Sequence, residues 1–363
     1  MRSSQERACP STRTQKWVRN TGVLVAAAAM LLAVAACGGS GNGQQADGQV
    51  RVRLALLAEG YDAPLFYAKE LGFFKQAGLD VDIRESTGSS TTTKLVGNGE
   101  ADIGFPDLAT AAKGIARDVP VKAIGAVFQK TPLATIFLRG KGISTPADLK
   151  GKKIGEQPGA ATAQYFPAFR QAAGLTAQDV SEVNVDAGAR EQLLLSGKID
   201  AFNSYAIENV PILQIAHHAP ADAFSWSDHG IKMLGMGILV NDEMISDHPD
   251  KLKAFMAAYA KGYQAAVANP KAAAEAILKE FPGAAGGSVA ALQKQWELSE
   301  ALQVTDATKN HPLFWMAPAS WDDTLSVNAE FADTKSDKSS ADYFTNDFIA
   351  DVPKAGSPAT AGE

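Results

Sequence analysis

The stretch ESTGSSTTTKLVGNGEADIGF, residues Glu85–Phe105, poses the question of the fold. A glycine at Gly88, five hydroxyl side chains from Ser89 to Thr93 and Lys94 lead into a short apolar segment ending at Phe105. These are the ingredients of a phosphate loop, but that loop needs a glycine directly before the lysine and a serine or threonine directly after it. Thr93 and Leu95 occupy those places, so nucleotide hydrolysis is a poor reading. An apolar-alternating strand at Leu79–Arg84 precedes the stretch, and the hydroxyl run opens a helix, with Ser89 or Ser90 as its cap, that continues to about Val96. A loop between a strand end and a helix start can aim backbone N–H groups and hydroxyls at a ligand.

Outward from this stretch, strand and helix patterns alternate. A strand begins at Val50 (VRVRLALL), and Pro64 and Gly72 bracket a helix with Leu65, Ala68 and Leu71 on one face. Strands near Ile103 and Val121–Phe128 flank a helix at Ala109–Ile115. Further on, a strand near Ile154 and the loop GEQPGAATAQY (Gly155–Tyr165) open a helix over about Ala160–Ala173. A strand at Val183–Asp186, a helix at Arg190–Ser196 and a strand at Ile199–Phe202 follow. This is an α/β pattern with largely parallel sheets. LVGNGEADIGF (Leu95–Phe105) also has an echo in LLLSGKIDAFN (Leu193–Asn203), which sets Asp200 in the place of Asp102 and points to two α/β lobes of the same make. After a strand at Ile231–Val240 come helices at Pro249–Val267, from Pro270, at Val289–Ala301 and at Ala319–Phe331. Phe255, Met256, Tyr259 and Tyr263 fall at core-like spacing there, as outer helices packed on the sheets would place them.

The amino terminus has its own signature. Arg2, Arg7, Arg13, Lys16 and Arg19 precede the fifteen mostly apolar residues Gly22–Ala36, a run shorter than the roughly 20 residues a spanning helix needs. Val34-Ala35-Ala36-Cys37-Gly38 then places small residues before a cysteine, which resembles a bacterial lipoprotein signal. Cys9 lies in the leader, so the mature chain keeps Cys37 alone and has no internal disulfide; an anchor is the reading that uses it. The leader carries five of the 34 basic residues and one of the 40 acidic ones, leaving a mature net charge of −10 and no basic patch for nucleic acid.

Catalytic signals are sparse. There is no G-x-S-x-G elbow, and His217, His218, His229, His248 and His311 lack metal-ligand spacing. Glu59 and Asp62, three residues apart in a loop, fix no acid/base geometry. An enzyme is not expected, nor a cofactor or metal.

GYDAPLFYAKELGFFKQAGLDVDI (Gly60–Ile83), GNGEADIGF (Gly97–Phe105) and ISTPADLKGKKIG (Ile143–Gly155) resemble, in this order, the solute-binding proteins of ABC importers, in the group that joins aliphatic-sulfonate binders to thiamine-pyrimidine binders and synthases. The resemblance implies a type II periplasmic-binding-protein fold, two α/β lobes joined by a two-strand hinge, with crossovers near Leu133–Leu138 and Met233–Val240. The expected organisation is a lipoprotein signal at 1–36, a tether at 37–49, a discontinuous lobe 1 at 50–135 plus 238–350, lobe 2 at 136–237 and a disordered tail at 351–363. In such proteins the loops after the strands hold the ligand. By position these supply Glu59, Gly60, Tyr61 and Asp62; Thr87, Gly88, Ser89 and Ser90; and Phe105, Pro106 and Asp107. The second lobe supplies Gly159, Ala160, Ala161, Thr162 and Tyr165, then Asn203, Ser204, Tyr205 and Glu208.

The resemblance implies a monomer, anchored in the membrane through Cys37 on the outer face of the cytoplasmic membrane, that captures a small-molecule solute for an ABC permease and its ATPase. Tyr61, Phe105, Tyr165 and Tyr205 favour a flat heterocycle such as a thiamine-pyrimidine precursor, and the acids disfavour an anion. Aliphatic sulfonate, taurine or nitrate is the alternative, and an exported enzyme on the same fold a further one. The synthases of this group depend on a first-loop histidine and a cysteine-rich cluster, which Glu59–Ala63 and the mature body lack.

Overall fold

The computed structural model describes residues 48–354 apart from 333 and 335, so the leader, Cys37 and the tail from 355 lie outside the described residues. Ten strands form two five-stranded sheets. In chain order they are β1 (Gln49–Arg53), β2 (Asp80–Arg84), β3 (Ile103–Gly104), β4 (Val121–Ala126), β5 (Leu133–Leu138), β6 (Lys153–Glu156), β7 (Ser181–Asn184), β8 (Ala201–Tyr205), β9 (Ala221–Ser225) and β10 (Gly237–Asn241). The first sheet runs β2-β1-β3-β10-β4 and the second β7-β6-β8-β5-β9. In both, the first three strands of the lobe are parallel, and the fourth position holds an antiparallel strand that has just arrived from the other lobe. Every residue of β5, β8 and β10 is buried, as strands covered on both faces must be.

The sequence echo is a repeated structural corner. Asp102 donates its N–H to the Arg51 carbonyl at 2.9 Å and its carboxylate accepts the Arg51 N–H at 2.6 Å; Asp200 makes the same pair with Lys153, at 2.9 and 2.8 Å. Gly99 and Gly197, with φ of 71° and 70°, turn the preceding helix into each corner. Each aspartate thereby fixes the register of one parallel pair, β3 against β1 in the first sheet and β8 against β6 in the second.

The helices are α1 (Ala63–Glu70), α2 (Phe73–Gln76), α3 (Ser89–Gly97), α4 (Leu108–Ile115), α5 (Ala161–Ala172), α6 (Arg190–Leu195), α7 (Ala206–Pro211), α8 (Asp242–Asp247), α9 (Pro249–Ala268), α10 (Pro270–Glu280), α11 (Val289–Gln303) and α12 (Pro318–Phe331). Phe255, Met256 and Tyr259 of α9 are fully buried, with Phe255 stacked on Phe74 at 5.0 Å, so the aromatic spacing there is core packing. Among the described residues no helix is long and apolar enough to cross a membrane.

Several boundaries differ from the sequence reading. β9, α2 and α8 are absent from the sequence reading, and β10 begins only at Gly237, because residues 231–236 belong to the connection between the sheets. Neither Ser89 nor Ser90 caps α3; Gly88 is the cap, and the Ser89 hydroxyl instead accepts the Asp107 N–H at 3.1 Å. The expected division at 135/136 cuts through β5, whose residues all pair within the second sheet. The chain passes between the sheets at 127–132 and 226–236, where Val127 and Phe128 donate to the Met236 carbonyl at 2.9 and 2.8 Å.

Candidate functional site

The loops that follow the parallel strands of the two lobes face one another across a narrow cleft. Ala55, Leu56, Tyr61, Gly88 and Ser89 line it from the first lobe. Ala160, Ala161, Thr162, Arg190, Ser204, Tyr205 and Glu208 line it from the second. The space left is about 40 Å3, room for about three waters at 10–15 Å3 each. At its lip Gly88 has φ of 139°, and a Cβ there would lie 2.9 Å from the Gly159 carbonyl oxygen, so only glycine allows the lobes this approach. Beside the lip, the Gln164 amide donates to the Thr110 hydroxyl at 3.1 Å and the Ser90 hydroxyl at 3.4 Å. Deeper along the seam the Tyr165 hydroxyl donates to Asn328 Oδ1 at 2.5 Å, while Asn328 Nδ2 donates to the Ala109 carbonyl at 2.9 Å.

The cleft floor is a buried polar cluster. Arg190, at the start of α6, pairs with Glu208 of α7, and its Nε lies 3.5 Å from Glu191 Oε1. The Tyr61 hydroxyl reaches Glu208 Oε2 at 3.4 Å. Gln295 of α11 ties the cluster together: its amide nitrogen donates to Glu59 Oε2 at 2.7 Å and to the Glu208 carbonyl at 2.9 Å, and its oxygen accepts the Gly60 N–H at 2.5 Å. Burial drives the Glu59 carboxyl well above its ordinary range, reinforced by Glu208, and burial does the same to Asp62. Burial also raises Glu208, against the pull of Arg190. With Glu59 and Asp62 held toward the neutral acid, the charge the floor presents is chiefly that of Arg190 shared between Glu208 and Glu191. The rings of Tyr61 and Tyr205, one from each lobe, sit 6.0 Å apart at 52° and form an aromatic wall across the seam.

Of the residues expected at the site, Tyr61, Gly88, Ser89, Ala160, Ala161, Thr162, Ser204, Tyr205 and Glu208 line the cleft. Ser90 and Gly159 lie just outside it, in an adjoining groove. Glu59, Gly60 and Asp62 are buried behind the Tyr61 wall, joined by the Glu59 N–H donating to Asp62 Oδ2 at 3.0 Å. The others do not reach the cleft. Thr87 is exposed, its hydroxyl on Thr91. Phe105 packs into the first lobe's core, 5.4 Å from Tyr259, because the strand's pleat turns it away from the seam. Pro106 continues the backbone toward the interlobe connection, its carbonyl accepting the Gly237 N–H at 3.0 Å. Asp107 caps α4 by accepting the Thr110 N–H at 2.9 Å, and burial pushes its carboxyl up to about 7. Tyr165 is fully buried at the seam, and Asn203 points away from the cleft to Glu156 at 2.8 Å.

Sequence reasoning missed Ala55, Leu56, Arg190 and Gln295. Arg190 had a usable signal, since it follows β7 as the other loop residues follow their strands. Gln295 had none, because it comes from α11, expected only as outer packing. Among the described residues no group of three or more His, Cys, Asp or Glu is arranged to hold a metal ion.

The family model described as "NMT1/THI5 like" matches residues 60–273, more than half of the chain. A curated relative from Uromyces fabae, named 4-amino-5-hydroxymethyl-2-methylpyrimidine phosphate synthase, is 29% identical over 61% of this chain and 68% of its own length. Among solved structures, the periplasmic nitrate-binding protein of Synechocystis PCC 6803 matches with a TM-score of 0.61 at 14% identity, over 83% of this chain and 87% of its own. The periplasmic aliphatic sulphonate binding protein of Escherichia coli matches with a TM-score of 0.59 at 12% identity, over 79% and 93%. At these identities the structural matches establish the periplasmic-binding-protein fold. The expectation that the chain is not an enzyme is overturned: further curated relatives at 26–28% identity also carry the synthase name, an enzyme name.

Proposed function

The chain belongs to the NMT1/THI5-like family, and from that premise we propose that its interlobe cleft captures a flat, neutral or cationic heterocycle of the pyrimidine class. The observation that carries this reading is the pairing of Tyr61 and Tyr205 across the seam above the Arg190–Glu208 pair. Aromatic faces from both lobes reward a ring that touches both, and a carboxylate within the lining supplies an acceptor for ring N–H groups. A ligand that contacts both lobes favours the closed arrangement by its differential affinity. The loaded, closed protein then delivers its solute to an ABC permease and its ATPase. In this proposal the chain works as a monomer outside the cytoplasmic membrane, held by a lipid on Cys37, with 37–49 as tether.

Two other readings have specific support. The starts of α3 and α5 bring Ser89 and Thr162 to the cleft, as a sulfonate, taurine or nitrate site would; Glu208 in the lining opposes an anion. The synthase names of the relatives support a cleft that also performs chemistry on a pyrimidine. One experiment addresses all three. Thermal unfolding is followed against pyrimidines, taurine, aliphatic sulfonates and nitrate, and bound candidates are then incubated and analysed for product. A ligand at a hundred times its Kd adds about 2.7 kcal/mol of stability, readily seen. The proposal expects a shift with ring compounds that Tyr205→Ala abolishes. A shift with sulfonates alone would replace it with the anion reading, and turnover would assign the chemistry named for the relatives.

A further inference from the structure

Lys94 of α3, Lys113 of α4 and Arg117 just beyond α4 converge on one groove, joined by the hydroxyl residues Ser90, Thr93 and Thr110. None of its lining residues is acidic, in a chain whose formal net charge is −6. Lys94 and Arg117 are exposed, and neither has an acidic partner in the described structure, whereas the neighbouring Asp118 is taken by Lys338 at 2.7 Å. The groove encloses about 300 Å3, against about 40 Å3 in the central cleft. Gly159 and Gln164 close it from the second lobe, and the Gln164 amide already reaches the Ser90 and Thr110 hydroxyls across the seam.

We propose that this groove is a second, separate binding site for a phosphate-type oxyanion, either inorganic phosphate or a small phosphomonoester. Lys94 and Arg117 repel one another, and an oxyanion relieves that repulsion while accepting from the guanidinium, the Lys94 ammonium and the Ser90 hydroxyl together. The central cleft is a poor place for the same ion, because its one cation, Arg190, is already paired with the Glu208 carboxylate beside it. The contact of Gly88 with Gly159 stands between the two, with Ser89 on the cleft side and Ser90 on the groove side. Since the groove is completed by residues of both lobes, its occupant holds them together. Oxyanion and cleft ligand therefore reinforce each other's binding reciprocally; this coupling, unlike the site itself, rests on the capture reading above.

The purified protein is titrated calorimetrically with inorganic phosphate and with ribose 5-phosphate, in a phosphate-free buffer of low ionic strength. Saturable binding is expected, weakened roughly tenfold or more in a Lys94→Gln, Arg117→Gln double variant, because charged hydrogen bonds are lost. Both side chains are exposed, so the variant's unfolding temperature without phosphate should match the parent's. Tighter binding of the ester assigns the remaining space to an organic group, and equal binding assigns the site to the ion. Tyr205→Ala should leave phosphate affinity intact. No saturable binding to the parent, equal binding to the double variant, or loss of phosphate binding in Tyr205→Ala would each overturn the proposal. Unchanged ring binding in the double variant keeps this result distinct from the fate of the cleft reading.

Discussion

Gly88→Ala is the most incisive perturbation of lobe closure, because its cost divides into two parts that different measurements see. The first part is backbone strain. At φ of 139° and ψ of 157° an alanine costs about 1–3 kcal/mol whether or not the lobes touch, and so appears in global unfolding. The second part belongs to the closed arrangement alone. The new Cβ would lie 2.9 Å from the Gly159 carbonyl oxygen and 3.1 Å from its carbon, and both are backbone atoms that cannot swing aside. Overpacking of this kind costs about 1–3 kcal/mol, which weakens a ligand requiring closure about 5- to 150-fold. Gly159→Ala is the matched control, since its φ of 82° imposes strain but a Cβ there meets nothing within 4 Å. Titration of a ring ligand, with small-angle scattering of the ligand-saturated protein, should show both variants destabilised but only Gly88→Ala weakened in affinity and held more open. Equal affinities in the two variants would refute the closure argument.

Three other outcomes are expected. Arg190→Gln leaves buried carboxylates without their cation and should lower stability by about 3–5 kcal/mol in urea unfolding, partly recovered by Glu208→Gln in the same chain; a double-variant cycle without coupling would count against the pairing. Burial pushes the Glu156 carboxyl up to about 7, above its unfolded value, so the folded state binds its proton more tightly. That contribution is present at low pH and is lost as pH rises from the ordinary carboxylate range through about 7, with Asp107 acting in the same sense. The urea midpoint should accordingly fall across this interval, and Glu156→Gln should flatten the fall; an unchanged slope would be evidence against it. Cys37→Ser should move the protein from the membrane to the soluble fraction, and retention in the membrane would exclude lipid anchoring through that residue.

Much of the frame is legible in the sequence because local chemistry dictates it. The corner at Leu95–Phe105 and its echo at Leu193–Asn203 are short-range events, a glycine turn followed by an aspartate that bonds one neighbouring strand residue. The loops after the strands were likewise legible, and they brought nine expected residues to the cleft. Phe105 shows where position fails: a residue after a strand faces the seam or the core according to the pleat, and here it joined Phe255 and Tyr259. Tyr165 and Asn203 were lost to partners no spacing reveals, Asn328 on a helix 163 residues away and Glu156 on the adjacent strand. Gln295 is the converse, brought to Gly60 across 235 residues of sequence separation. Burial also tempers the electrostatics, since Glu59 and Asp62, which read as repulsive to an anion in the sequence, are shifted toward neutrality at the floor while Glu208 stays in the lining.

The interleaved sheet order carries a consequence for how the molecule is made. All strands of the second sheet lie between residues 133 and 225, so that lobe's sheet has its whole strand set once the middle of the chain has emerged. The first sheet must wait for β10, which inserts between β3 and β4, and its floor must wait longer still for Gln295. Until then the edges of β3 and β4 and the Gly60 N–H have no chain partner, which is the period of greatest exposure to aggregation and proteolysis. Synthesis from the amino terminus therefore builds the later-numbered lobe first and finishes the earlier-numbered one last.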